Sequence, residues 1–232
     1  LASNCRPYAP FAYSLGDENG LRHPPEEMSE LEMAAYRQYL KKGYGNNIAL
    51  LNNAWNSSFE DFEKVETAPP KGNEWTIPRR YDFLDFWEWV YADMHHWMRD
   101  ALRKGDPDAH VGAEGSWGGN LELTVSKLDW WAPYEDRLNN AILRFWTPWP
   151  AFRGNWWGSY SMGSARLHKK DTGELWRNLV MGSVNASLFF IADVCAEGML
   201  AADGSYADFF ELWIPQLREI CDTAGPLLRA SE

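Results

Sequence analysis

Two hundred and thirty-two residues, 45% of them hydrophobic, suffice for one large domain or at most two, with a sizeable core. Asp and Glu number 33 against 22 Lys and Arg, and the resulting charge of −11 makes nucleic acid and anionic membrane poor partners. A neutral or cationic ligand fits better. Cys5, Cys195 and Cys221 are odd in number, far apart and without a Cys-x-x-Cys pair, which argues against a zinc ribbon or disulfide scaffold; each reads as a small buried hydrophobe.

In chain order, the Pro10–Gly16 run predicts a buried strand, followed by the polar Asp17-Glu18-Asn19. Ser29 with Glu32 three residues on forms a capping box for a helix carrying Leu31, Ala34, Ala35 and Leu40 on its apolar face and ending at Gly43. A second helix spans Ile48 to Trp55. Residues 56–80, with Pro69, Pro70, Gly72 and Pro78, read as a long loop insertion. Asp82 is placed to cap the longest helix, from Phe83 to about Lys104, with Leu84, Trp87, Tyr91, Met94, Met98 and Leu102 along one side and Trp87, Trp89 and Trp97 as core. Ala109–Ala113, Leu128–Trp131, Ala141–Trp146 and Ala186–Ile191 are the remaining candidate strands, with helices over Gly173–Met181 and Tyr206–Asp222.

Strands alternating with helices predict an α/β fold with a parallel sheet. In a (β/α)8 barrel, residues just past the strands line the active face, and here polar and aromatic residues cluster at those places. Asp17 and Glu18 end the first strand and Glu114 ends the second. Parallel neighbours lie ~5 Å apart, so the two ends bring a carboxylate pair within range of one sugar, the minimum equipment for glycoside hydrolysis. A separation near ~5.5 Å marks retention, and ~6.5–9.5 Å inversion. A proton-holding carboxyl at such a site requires a raised pKa, and burial of Glu18 beside Asp17 is the expected cause.

Fourteen tryptophans exceed what a core needs. Trp117, Trp130, Trp131, Trp146, Trp149 and Trp156 follow or end strands, where flat rings stack on the C–H faces of sugars while Asp17 and Asn19 bind hydroxyls. His95-His96 is not a metal pair, because adjacent helical residues point about 100° apart. No Gly-x-Ser-x-Gly elbow or phosphate-binding glycine loop occurs. No metal or cofactor is implied.

The Leu15-Gly16-Asp17-Glu18-Asn19 segment resembles the fourth-strand end of the family 42-like glycoside hydrolases, the β-galactosidase-like enzymes of the retaining (β/α)8 clan. Tyr36-Arg37-Gln38-Tyr39-Leu40 through Tyr44-Gly45, then Leu50-Leu51-Asn52-Asn53-Ala54-Trp55 to Ser57-Ser58-Phe59, are similar to the stretch after that strand and form the most specific match. Asp82–Val111, Leu128-Asp129-Trp130-Trp131 and Trp176-Arg177-Asn178-Leu179 continue it. The resemblance implies that residues 1–232 are the C-terminal portion of a catalytic barrel, roughly strands four to eight. It implies an upstream barrel half needed for activity, a carbohydrate substrate and Glu18 as acid/base, and it allows a homotrimer. Two departures stand out. Asp17 occupies the family's Asn position, and no Glu lies between Asp136 and Asp171, where the strand-seven nucleophile belongs. Either Glu114 takes that role in a retaining enzyme acting on a β-linked neutral sugar such as a β-galactoside, or the chain is a non-catalytic carbohydrate-binding relative on a diverged barrel.

Overall fold

The computed structural model describes residues 2–20, 28–67, 76–115, 119–132, 142–143, 152–157, 186–189, 205, 214–215, 218–223 and 226. Its elements are α1 (Ala2–Cys5), β1 (Tyr13–Asp17), α2 (Glu30–Gly43), α3 (Ile48–Trp55), α4 (Ile77–Arg103), β2 (Val111–Glu114), α5 (Leu121–Val125), β3 (Trp130–Ala132), β4 (Phe152–Trp157) and β5 (Ala186–Phe189). They form two compact units, one of Gly20–His95 with Gly118–Thr124, the other of Leu1–Asn19, His96–Trp117 and Val125–Glu232.

The first unit is helical, and its aromatic core is assembled by short-range chemistry. Ser29 accepts the Glu32 N–H through Oγ at 3.3 Å, and the Glu32 carboxylate accepts the Ser29 N–H at 2.7 Å, completing the capping box that starts α2. The buried face of α2 is Tyr36 and Leu40, with Met33 and Tyr39 partly buried. Leu31 is 82% exposed and Ala34 and Ala35 are exposed, so the expected apolar stripe is shifted onto the aromatic positions. Asn47 caps α3 at the Ala49 N–H, and Asn56 closes it in the left-handed region.

The Asn52–Phe59 stretch is held by one side chain. Asn52 Oδ1 accepts from the Phe59 N–H and the Ser57 hydroxyl, both at 2.9 Å, while Nδ2 donates to the Phe59 carbonyl at 2.8 Å. Phe59 then meets the Trp55 ring edge-on, and the buried Arg79 guanidinium lies 5.0 Å above Trp55. Arg79 donates to the Glu66 and Thr67 carbonyls, pinning the loop to α4.

Helix α4 starts at Ile77, six residues before the predicted Phe83. Pro78 falls in its first turn, where the missing N–H costs nothing and the fixed φ is helical, so it does not extend the loop. Asp82 therefore lies inside the helix rather than at its cap. Its Oδ2 accepts from Tyr44 Oη at 2.6 Å and Trp55 Nε1 at 2.7 Å. Phe83, Phe86 and Trp87 carry the buried face of the first unit. Leu84 (41%), Trp89 (39%), Met94 (46%) and Trp97 (68%) are exposed, which corrects their placement in the core. His95 and His96 are buried, and His95 Nδ1 donates to the Tyr91 carbonyl at 2.8 Å.

The second unit carries the sheet. Five strands run parallel in the order β1-β2-β3-β4-β5, the order of consecutive strands in an alternating α/β chain. The strand ends differ from expectation by a few residues, and one strand was misplaced. Ile142 and Leu143 are helical, and the fourth strand is Phe152–Trp157 rather than Ala141–Trp146. Asp129 joins two strands: it accepts the Val111 N–H at 2.8 Å and is bound by Arg103 from the end of α4 at 2.6 and 2.8 Å. The pair is partly exposed, so its net worth is up to about 1 kcal/mol. Cys5 is half-buried and Cys221 exposed, both free thiols, where buried cysteines were expected. The predicted helix over 173–181 and most of that over 206–222 lie outside the described residues.

Candidate active site

The C-terminal ends of β1 and β2 bring the predicted acids together. Tyr13 pairs with Val111, Ser14 with Gly112 and Asp17 with Glu114, so two residues of β1 (Leu15 and Gly16) face one of β2. This bulge draws Asp17 level with Glu114. Gly16 has φ +144°, and a Cβ there would stand 2.5 Å from Asn19 Oδ1, so the Asn19 side chain folds back onto the bulge. Glu18 follows in the left-handed region (φ 53°), its N–H bonded to the Glu114 carbonyl at 3.2 Å.

The two faces of β2 are distinguishable by their neighbours. Tyr13 and Val111 lie on the face toward Asp106, which accepts the Tyr13 hydroxyl at 2.9 Å; burial, with that bond, pushes the Tyr13 phenol up to about 12. Ser14, Gly112 and Glu114 alternate onto the other face. There the Ser14 hydroxyl donates to Glu114 Oε1 at 2.9 Å. Burial raises the Glu114 pKa above the ordinary glutamate range; the Ser14 hydrogen bond opposes this and the Asp17 charge adds to it.

Glu18 is exposed, so the burial expected of it falls on Glu114 instead. Trp130 and Trp131 are 1% and 0% exposed. A Cβ on Gly112 would lie 2.1 Å from the Trp130 carbonyl oxygen and 2.5 Å from its indole, so the ring is packed down on β2 at a place only glycine permits. Trp131 Nε1 donates to the Gly115 carbonyl at 3.2 Å. Neither ring presents a free face for a sugar; both shape the strand end that carries Glu114. Trp156 belongs to β4, and Trp117, Trp146 and Trp149 lie outside the described residues. Ser14 was missed by sequence reasoning, since a lone serine in a strand carries no motif. Among the described residues no three His, Cys, Asp or Glu side chains gather as a metal site.

A parallel sheet with carboxylates gathered past the C-terminal ends of adjacent strands is the layout of an α/β enzyme. The pattern of the glycoside hydrolase family 42, described as beta-galactosidase, matches residues 10–133, and the chain belongs to that family. No curated protein matches it in sequence. Solved structures of similar fold include that of an exo-beta-agarase, at 16% identity and a TM-score of 0.52, covering 81% of this chain and 30% of that one. The agarase AgWH50C is 13% identical with a TM-score of 0.57, covering 84% and 32%. PfGH50B is 15% identical with a TM-score of 0.52, covering 82% and 32%. The chain thus spans about a third of the length of the solved structures it matches.

Proposed function

We propose that the protein is a glycoside hydrolase that cleaves a β-linked neutral sugar with two carboxylates at the mouths of β1 and β2. The observation that carries this reading is Glu114: a half-buried carboxyl at a strand end, level with Asp17, with its pKa raised. A raised pKa favours the protonated carboxyl, the form that gives a proton to a departing glycosidic oxygen. Glu18, exposed one residue beyond Asp17, supplies the second carboxylate, which attacks the sugar or activates water. This exchanges the roles that the family resemblance suggests, and it does so on burial alone.

β1 to β5 are read as consecutive strands of a (β/α)8 barrel, supported by their sequential parallel order and by the family membership. An upstream barrel half completes the site in this reading. The family's description names a beta-galactosidase and two of the similar structures are agarases, so β-galactosides and agarose head the substrates to test.

The test is a leaving-group series on the full-length protein. Glu114→Gln is expected to lose hydrolysis of substrates with poor leaving groups while retaining activated aryl glycosides, the signature of a missing acid. Glu18→Gln is expected to lose both. Equal behaviour of the two variants and the wild type overturns the assignment. A second reading, a carbohydrate-binding relative without catalysis, is favoured by the absence of any acid in Phe152–Trp157. It predicts sugar binding with no turnover in any variant.

A further inference from the structure

We propose that Ser14 is a positioning residue that fixes one oxygen of the Glu114 carboxyl and thereby decides which oxygen carries the reactive proton. The inference deepens the role given to Glu114 above and rests on that reading for its catalytic meaning, although the contact itself does not depend on it.

The geometry is specific to the bulge. The Gly16 N–H donates to Ser14 Oγ at 3.3 Å, and the Ser14 hydroxyl, with a single proton to give, has two acceptors in reach. The Gly16 carbonyl is at 3.4 Å, Glu114 Oε1 at 2.9 Å. The contact to Glu114 is the one made, since 3.4 Å is long for a hydroxyl donor and 2.9 Å is an ordinary hydrogen bond, and it strengthens when Glu114 ionises. The chain of donation therefore runs from the Gly16 N–H to Ser14 Oγ to Glu114 Oε1. A regular strand would leave no backbone N–H turned to Ser14; the extra residue in β1 provides it.

Two consequences follow for Glu114. With Oε1 accepting the serine proton, the carboxyl's own proton is confined to Oε2, the oxygen left for a substrate. The same bond favours the ionised form, against burial and against Asp17. The titratable group that acts on Glu114 from β1 is Asp17, while β3 contributes Trp130, Trp131 and Ala132, none of which titrates.

The experiment is a carboxyl-detected NMR titration of Glu114 in the full-length protein, wild type beside Ser14→Ala, Ser14→Cys and Ser14→Thr. The pH profile of kcat/KM on an alkyl β-galactoside, whose poor leaving group needs the acid, is measured on the same preparations. Ser14→Ala should move the Glu114 midpoint to higher pH, Ser14→Cys less so, and Ser14→Thr should restore it, since threonine keeps the hydroxyl and suits a strand. Should the alanine variant not fold, the cysteine and threonine variants carry the same ordering. A Glu114 midpoint indifferent to the side chain at 14 overturns the proposal. A midpoint that moves while the alkaline limb of the profile stays put supports the Ser14 contact and removes Glu114 as the acid. A limb that moves with the midpoint supports both.

Discussion

The helical unit and the sheet unit use the same residue types to opposite ends. In the helical unit, Asp82 sits among rings and accepts two hydrogen bonds, from Tyr44 and Trp55, so a carboxylate is spent on holding an aromatic core together. In the sheet unit, Glu114 sits at a strand mouth with the Ser14 hydroxyl on one oxygen and a like charge beside it. The first acid is satisfied and the second is stressed. In the proposed reading that difference, with the burial that raises the Glu114 pKa, separates a structural carboxylate from a catalytic one. It also bears on the Asn52–Phe59 stretch, which lies within the residues the family pattern matches. Asn52, Trp55, Ser57 and Phe59 brace one another and α4, so this stretch serves the helical core.

Substitutions in the two units should fail in different ways, and each tests the contrast. The largest effect is expected at Glu114. Glu114→Gln should lower kcat on substrates with poor leaving groups by about 10²–10⁴-fold, with little change in Tm at neutral pH. The pH dependence of stability checks the same residue. A raised folded pKa means the folded chain binds more protons, so the contribution of Glu114 to stability is complete below the unfolded pKa. It is lost as pH rises through the folded value. The glutamine variant should show a flatter stability curve across that window in denaturant titrations.

Trp55→Ala should cost about 3–5 kcal/mol by urea unfolding, because it empties a site 2% exposed and strands Asp82 and Arg79 together. A loss under 1 kcal/mol would dissolve the distinction between the units. Gly112→Ala should cost about 1–3 kcal/mol or prevent folding, since the new Cβ meets Trp130 backbone as well as ring. Ser29→Ala removes half of the capping box and should cost about 1 kcal/mol, read as a small drop in the urea midpoint at unchanged slope. The smallest effect is expected at Tyr36, whose hydroxyl is buried and, among the described residues, has no hydrogen-bond partner. Tyr36→Phe should be neutral or stabilising by up to about 1 kcal/mol; a clear destabilisation would reveal a partner for that hydroxyl.

Much of the helical unit was legible because its signals are local. The Ser29–Glu32 box and the α3 boundaries are written within a few residues of where they act. Asp82 misled because an Asp before an apolar run has the appearance of an N-cap, and Pro78 because a helix breaker in the middle is a helix starter in the first turn. Ala141–Trp146 is a short apolar run, which periodicity alone cannot divide between strand and helix. At the site, the acids were visible as residue types at strand ends. Their roles were not, since the Ser14–Glu114 contact joins residues one hundred positions apart and depends on an offset between two strands.

That offset leaves β1 with one residue of slack, roughly 3.3 Å of surplus contour beside β2. A gene losing the codon for Leu15 would take up the surplus and flatten the ladder, and Asp17 would keep its rank opposite Glu114. A gene gaining a codon there would have nowhere to store it. The mouth of this strand is therefore tolerant of shortening and intolerant of lengthening. A lineage that shortened it would keep both acids and surrender only the amide that steadies the serine.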